Sequence, residues 1–410
     1  MKVPRCKGMR DLVPQDMARF RRIEAAFGDC CVAWGYQEIR TPVLEYLHLF
    51  TSAGTLSPDM LGRVYTFLDW DGWSGERVVL RPDGTIPAAR LYVENFQDLP
   101  IARFFYTENT FAFEGSGEES RERWQCGAEL IGGSRLEGDV ELISLALEAI
   151  GKLGIGPLEV KVAHAGVLKT FLEELGFTGE QEAEVLDQVF AGNREILGYM
   201  RDRNPETVRQ LELLFGLKGS SPGFVENLKA TFCASLPALE PSLDQLARIA
   251  ELLTGSGHSY QIDFTSGRGF EYYTGIIFGF YCAGRRLGGG GRYDELIPLV
   301  GGQDVCASGF ALYIDELMEL IEEAPQRERI LVRAKDGDGL KSSLEIAQRL
   351  REASHIAEFD LGYRDTSGFR WIVDLRSSEG IEVVDRDLGE KNSLSSVEEL
   401  LKMIQEAACR

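Results

Sequence analysis

Ser266-Gly-Arg-Gly-Phe-Glu-Tyr-Tyr-Thr-Gly-Ile-Ile-Phe278 places glycines on both sides of Arg268 and two tyrosines, Tyr272 and Tyr273, within five residues of it. Glycine lets the backbone bend closely around a guanidinium, and the β-branched and aromatic residues that follow predict a strand over Gly275 to Tyr281. Ten residues beyond Phe278, Gly288-Gly-Gly-Gly-Arg-Tyr-Asp294 reads as a glycine-rich turn. Its glycines would admit a ligand close to the backbone, although a flexible hairpin accounts for them equally well.

Working toward the N-terminus, Arg123 to Ile131 forms a strand with Gln125 and Glu129 four apart, so both side chains share one face. That polar face is either solvated or lines a pocket. A companion strand, Arg103 to Phe113, precedes a charged loop holding Gly115 and Gly117. Earlier still, Leu80-Arg-Pro-Asp-Gly-Thr-Ile-Pro-Ala-Ala-Arg90 runs from a strand into a turn before a helix. Asp83 and Thr85 project there, either to cap the backbone or to hold an ammonium group.

The rest of the chain divides by pattern. Apolar residues at helical spacing predict a helix from Asp16 to Trp34, and strands follow at Tyr36 to Pro42, Arg63 to Leu68 and Glu76 to Leu80. A helix over Gly138 to Leu153 and a strand over Leu158 to His164 complete an antiparallel α+β core, expected to comprise residues 1–165 and 256–325. Residues 166–255 read as a helical insertion, with helices at Leu168 to Leu175, Gln181 to Val189, Asn193 to Tyr199, Thr207 to Phe215 and Leu243 to Leu253. A helix is predicted from about Phe310 to Glu323. After the polar linker near Pro325, residues 326–410 suggest a separate small α/β domain.

Composition narrows the function classes. The 410 residues carry 65 acidic and 44 basic side chains, a net charge of -21, so the average field repels tRNA and acidic membrane surfaces. The first ten residues lack an apolar signal core, and no stretch of about eighteen apolar residues occurs, so a cytosolic protein is expected. Eight scattered cysteines without metal-ligand spacing read as reduced buried thiols; neither a metal nor a cofactor is expected.

Taken in order, Arg81-Pro-Asp-Gly-Thr85, the strand pair with Gln125 and Glu129, Arg268-Gly-Phe-Glu-Tyr-Tyr-Thr-Gly275, Gly289-Gly-Gly-Arg-Tyr-Asp294 and Gly309-Phe-Ala-Leu-Tyr-Ile-Asp-Glu-Leu317 resemble histidyl-tRNA synthetases across nearly the whole chain. The resemblance implies a class II aminoacyl-tRNA synthetase-like antiparallel sheet of six or seven strands flanked by helices, a helical insertion and a degenerate anticodon-binding-like C-terminal domain. It also implies a histidine pocket made by Asp83, Thr85, Gln125, Glu129, Arg268, Tyr272, Tyr273 and Tyr293. Two departures matter. The family's motif-two arginine follows a Phe, and here Phe111 is followed by Ala112; the motif-three arginine falls at Glu316, with Tyr313 in place of a glycine. Adenylation concentrates negative charge on phosphorus and needs those cations.

A pocket kept without the adenylation arginines resembles the synthetase-like regulatory subunits of short-form ATP phosphoribosyltransferase. That likeness implies no catalytic residue of its own, histidine as ligand, a separate catalytic subunit as partner and a homodimer within a hetero-oligomer, with neither nucleic acid nor membrane expected. A histidine–tRNA ligase, or a synthetase paralogue that binds another small molecule, are the alternatives.

Overall fold

The computed structural model describes residues 4–53, 62–70, 75–112, 120–177, 181–182, 185, 204–265, 273–322, 328–334, 339–363, 365–376 and 380–408. It falls into two compact units, Met1–Glu323 and Ala324–Arg410.

The first unit is built on eight strands: β1 (Gln37–Glu38), β5 (Ile101–Phe111), β6 (Glu122–Gly132), β7 (Glu159–His164), β8 (Tyr260–Ile262), β9 (Ile276–Cys282), β10 (Arg285–Arg292) and β11 (Ala307–Tyr313). Their order is β1-β5-β6-β11-β10-β9-β7-β8. The inner pairs are antiparallel, as expected. The short edge strands β1 and β8 differ, adding in parallel to β5 and β7. Strands of two and three residues offer little free edge to a wrong partner.

One face of this sheet is apolar. Phe105, Phe278, Phe280 and Phe310 lie on it, and Phe27 of the helix Pro14–Ala33 meets Phe105 and Phe310 edge-on with centroids 6.1 and 6.2 Å apart. That helix begins with Pro14 in its first turn and buries Phe20, Ile23, Phe27, Cys30 and Cys31 along one stripe. The opposite face is different in kind: Gly127, Gly279, Gly289, Gly291 and Gly309 fall on it in register, leaving a floor nearly bare of side chains.

Two expectations are corrected here. Gly288 to Gly291 is no turn but the interior of β10, paired on one side with β9 and on the other with β11. A Cβ at Gly288 or Gly290 would collide with the carbonyl oxygens of Ala311 and Gly309, so close strand approach is the reason for glycine there. Phe310 to Tyr313 are likewise not helical. They belong to β11, and only Ile314–Met318 forms a helix.

A smaller sheet orders β2 (Leu44–Tyr46), β4 (Gly75–Leu80) and β3 (Thr66–Trp70) as β2-β4-β3. The insertion holds the helices Ala165–Glu174, Pro205–Gly216, Pro222–Phe232 and Glu240–Gly255. Pro222–Phe232 was not expected, although Ser221 followed by Pro222 announces it: the Ser221 hydroxyl accepts from the Phe224 N–H at 3.3 Å. The helices expected over Gln181 to Val189 and Asn193 to Tyr199 lie almost wholly outside the described residues.

The second unit is a five-stranded sheet in the order β13 (Ile356–Phe359), β12 (Arg329–Ala334), β14 (Trp371–Arg376), β15 (Gly380–Asp385), β16 (Glu390–Leu394). The helices Leu340–Glu352 and Val397–Ala408 cover one face, burying Val332, Leu350, Trp371, Val373, Leu400 and Ile404. β13 and β16 were not expected; they are short, and β16 reads Glu-Lys-Asn-Ser-Leu, with no apolar alternation to announce it.

Candidate functional site on the glycine face

Pairing of β5 with β6 sets Phe104 opposite Glu129, Tyr106 opposite Gly127 and Glu108 opposite Gln125. Gln125 and Glu129 therefore share the glycine face, and both are buried, so the solvated reading of that face fails.

Glu129 is the centre of the constellation. It is 1% exposed, and its carboxylate lies over Gly309, where any side chain would occupy the same space. The Tyr106 hydroxyl donates to Glu129 Oε1 at 2.9 Å, and the Tyr293 hydroxyl donates to Oε2. Burial pushes the Glu129 carboxyl up to about 8; the hydrogen bonds from Tyr293, Tyr106 and Thr85 oppose this, and the nearby charge of Asp83 adds to it. Tyr106 is held by two glycines, since a Cβ at Gly84 or at Gly127 would run into its ring. Tyr106 was not anticipated. Nothing in one sequence tells which residue of β5 lies across from Gly127.

Asp83 opens the helix Thr85–Asn95, with Oδ1 accepting from the Ile86 N–H at 3.0 Å. The capping reading thus holds, yet the carboxylate also faces Glu129. Loss of hydration raises it to about 6 against the backbone N–H groups of Ile86 and Thr85. Thr85 is close enough to favour the charged forms of both Glu129 and Tyr106.

Arg81, two residues before Asp83, anchors this segment. Its Nη1 lies 2.6 Å from Glu108 Oε2 and donates to Thr41 O at 2.9 Å, while Nε donates to Asn109 O at 2.8 Å. Thr41 in turn donates its N–H to Glu108 Oε1 at 2.6 Å. Both charged side chains are buried, so each depends on the other.

The Gly-Arg-Tyr-Asp run works in the same way. Arg292 forks onto Asp139 of the helix Arg135–Lys152, Nη2 to Oδ1 at 2.7 Å and Nε to Oδ2 at 3.2 Å, and its Nη1 reaches Asp294 at 3.0 Å. Asp294 also accepts from the Ala307 N–H at 3.0 Å. These bonds fix the backbone on both sides of Tyr293 and deliver its hydroxyl to Glu129. Tyr273, also buried, lies against Gly291. Of the remaining expected residues, Arg268 and Tyr272 lie outside the described residues.

Ala112 forms an isolated bridge with Val64, and its N–H donates to Arg121 O at 3.2 Å. Glu316, in the helix after β11, pairs with Arg285 Nη1 at 3.0 Å. Tyr313 lies opposite Gln125 on the glycine face. Among the described residues no group of three or more His, Cys, Asp or Glu side chains is placed to hold a metal, and no helix is long and apolar enough to cross a membrane.

The histidyl-tRNA synthetase family model matches residues 8–317. An ATP phosphoribosyltransferase regulatory subunit of Dehalococcoides mccartyi is 47% identical over 387 residues, spanning 93% of this chain and 94% of that protein. A histidine–tRNA ligase of Methanococcus aeolicus is 31% identical over 424 residues, spanning 97% of this chain and 99% of that enzyme. Among solved structures, an ATP phosphoribosyltransferase regulatory subunit/histidyl-tRNA synthetase from Bacillus halodurans superposes with a TM-score of 0.78 at 25% identity, over 91% of this chain and 99% of that one. The chain belongs to the histidyl-tRNA synthetase family and, within it, to the ATP phosphoribosyltransferase regulatory subunits.

Proposed function

We propose that this regulatory subunit senses histidine: it binds the free amino acid on the glycine face and passes its occupancy to a separate ATP phosphoribosyltransferase catalytic subunit, without charging tRNA. One contrast carries the reading. The buried acid Glu129 and the half-buried Asp83, with Thr85, Gln125, Tyr273 and Tyr293, are assembled as a cation-accepting pocket, whereas the two positions that would carry adenylation arginines hold Ala112 and Glu316. An ammonium group desolvated there requires a carboxylate partner, and an activated phosphate would meet an acid instead of a cation. Arg268 and Tyr272 are assigned to the carboxylate and imidazole sides of the same pocket.

The subunit is proposed to act as a homodimer inside a hetero-oligomer, in the cytoplasm. Leu44, Tyr46 and Phe67 are 46%, 50% and 46% exposed and share one face of the small sheet, an apolar patch of the kind a second copy covers. Residues 1–165 and 256–325 are assigned to the core, 166–255 to the insertion and 326–410 to an assembly role.

The test is titration calorimetry of the chain with histidine beside an assay of histidine-dependent ATP–pyrophosphate exchange. Binding without exchange is expected. Exchange at the rate of an ordinary synthetase overturns the proposal in favour of a histidine–tRNA ligase. Co-purification of the phosphoribosyltransferase from native lysate checks the partner.

A further inference from the structure

The glycines of this face are tiled by neighbouring side chains. Gly309 lies under the Glu129 carboxylate, Gly127 under the Tyr106 ring, Gly291 under Tyr273, Gly289 under the Arg286 guanidinium and Gly279 under Tyr281. Ala311 breaks the pattern: it stays partly exposed, with Gly127 opposite it on β6 and Gly289 opposite it on β10. A group that leaves the Glu129 pocket along β11 therefore passes over Ala311, roughly 6.6 Å beyond Gly309. Two residues further along the same face the small side chains end at Tyr313, opposite Gln125. Ladder pairing with Gln125, and a hydrogen bond of 3.3 Å from the Trp124 N–H to the Asp315 carboxylate, fix the chain there.

The direction in which a bound amino acid points follows from the same register. On the histidine reading above, Glu129 and Asp83 take its ammonium group, and Tyr273 and Tyr293 wall its side chain in the row of Glu129, where Gly291 lies opposite Gly309. The carboxyl carbon is then turned toward Ala311. A hydrogen bond of about 3 Å and one residue of about 3.5 Å bring that carbon over Ala311. A further group joined to it adds as much again and runs into the Tyr313 phenol.

We infer that Tyr313 is a specificity-determining residue: it limits the site to the free amino acid and shuts out histidine extended through its carboxyl carbon as an amide, ester or acyl phosphate. This rests on the proposed histidine pocket and adds a length limit to it. The discriminating experiment compares L-histidinamide with L-histidyl-L-leucinamide, beside L-histidine, by calorimetry on the full chain. Both amides lack the carboxylate charge, so their ratio reports length alone. In wild type histidyl-leucinamide should bind at least about tenfold more weakly than histidinamide, the scale of an overfilled packed site. Tyr313→Ala should bring the two within about threefold by admitting the longer ligand. Tyr313→Phe should keep the wild-type ratio, because the ring and not the hydroxyl sets the limit. Equal binding of the two amides by wild type, an unchanged ratio in Tyr313→Ala, or a ratio that closes because histidinamide weakens while histidyl-leucinamide does not tighten overturns the inference alone. Failure of wild type to bind histidine overturns the proposed function and this inference with it.

Discussion

Glu129 is a residue the fold holds at a cost. An acid whose folded value is raised to about 8 keeps its proton when folded and loses it when unfolded above its ordinary value of 4.5. The unfolded chain then binds fewer protons, so this group lowers stability as pH rises through that window, and the loss persists above it. Glu129→Gln is expected to stabilise the ligand-free chain at pH 8 by on the order of 2 kcal/mol, and to leave stability near pH 4 almost unchanged. Thermal melts at the two pH values check this. A bound cation beside Glu129 favours its ionised form, so histidine should displace a proton at pH 7. Calorimetry in two buffers of different ionisation enthalpy should reveal that release in wild type and its absence in Glu129→Gln.

At the scale of the element, the sheet divides its labour between two faces. The aromatic face holds the fold, and the glycine face makes room for Tyr106 and Glu129. Gly309→Ala puts a methyl group where the Glu129 carboxylate lies, and an overpacked substitution of this kind costs about 1–3 kcal/mol. The variant should stay folded by circular dichroism and lose histidine binding. Asp139→Ala acts elsewhere: it removes the two-pronged partner of Arg292, buried between a helix and a strand, and leaves it Asp294, so it should lower stability by about 1–3 kcal/mol in urea titrations. The pair Arg285–Glu316 is half-exposed and contributes about 0.2–1 kcal/mol at most. Glu316→Arg should therefore fold, yet still show no pyrophosphate exchange, since Ala112 leaves the other cation missing.

For the whole molecule, the small sheet is the face proposed to take a second copy. Phe67→Asp introduces a charge into the apolar face formed with Leu44 and Tyr46, and a charge desolvated there without a partner opposes pairing. Sedimentation should give a dimer for wild type and a monomer for this variant at micromolar concentration, with histidine affinity unchanged if the pocket is complete within one chain. The net charge of -21 should also keep tRNA binding weak and steeply salt-dependent, which filter binding at two salt concentrations would measure.

The order of motifs was legible in the sequence because each depends on local chemistry: glycines flanking Arg268, Asp83 at a helix start, and Gln125 and Glu129 at even spacing on a strand. Helices with a strong apolar stripe, such as Pro14–Ala33, were legible for the same reason. Local pattern could not decide the role of Gly288 to Gly291, because glycine suits both a turn and the centre of a tightly packed sheet; pairing on both sides settled it. Nor could it supply Tyr106, Arg81 with Glu108, or Arg292 with Asp139. Those partners lie 23 to 153 residues apart in the pairs Tyr106–Glu129 and Arg292–Asp139, and only strand register and helix packing bring them together. Which residue types could meet an amino acid is written in the chain. Tertiary structure decided which of them are buried side by side, because burial and register are properties of non-local pairing.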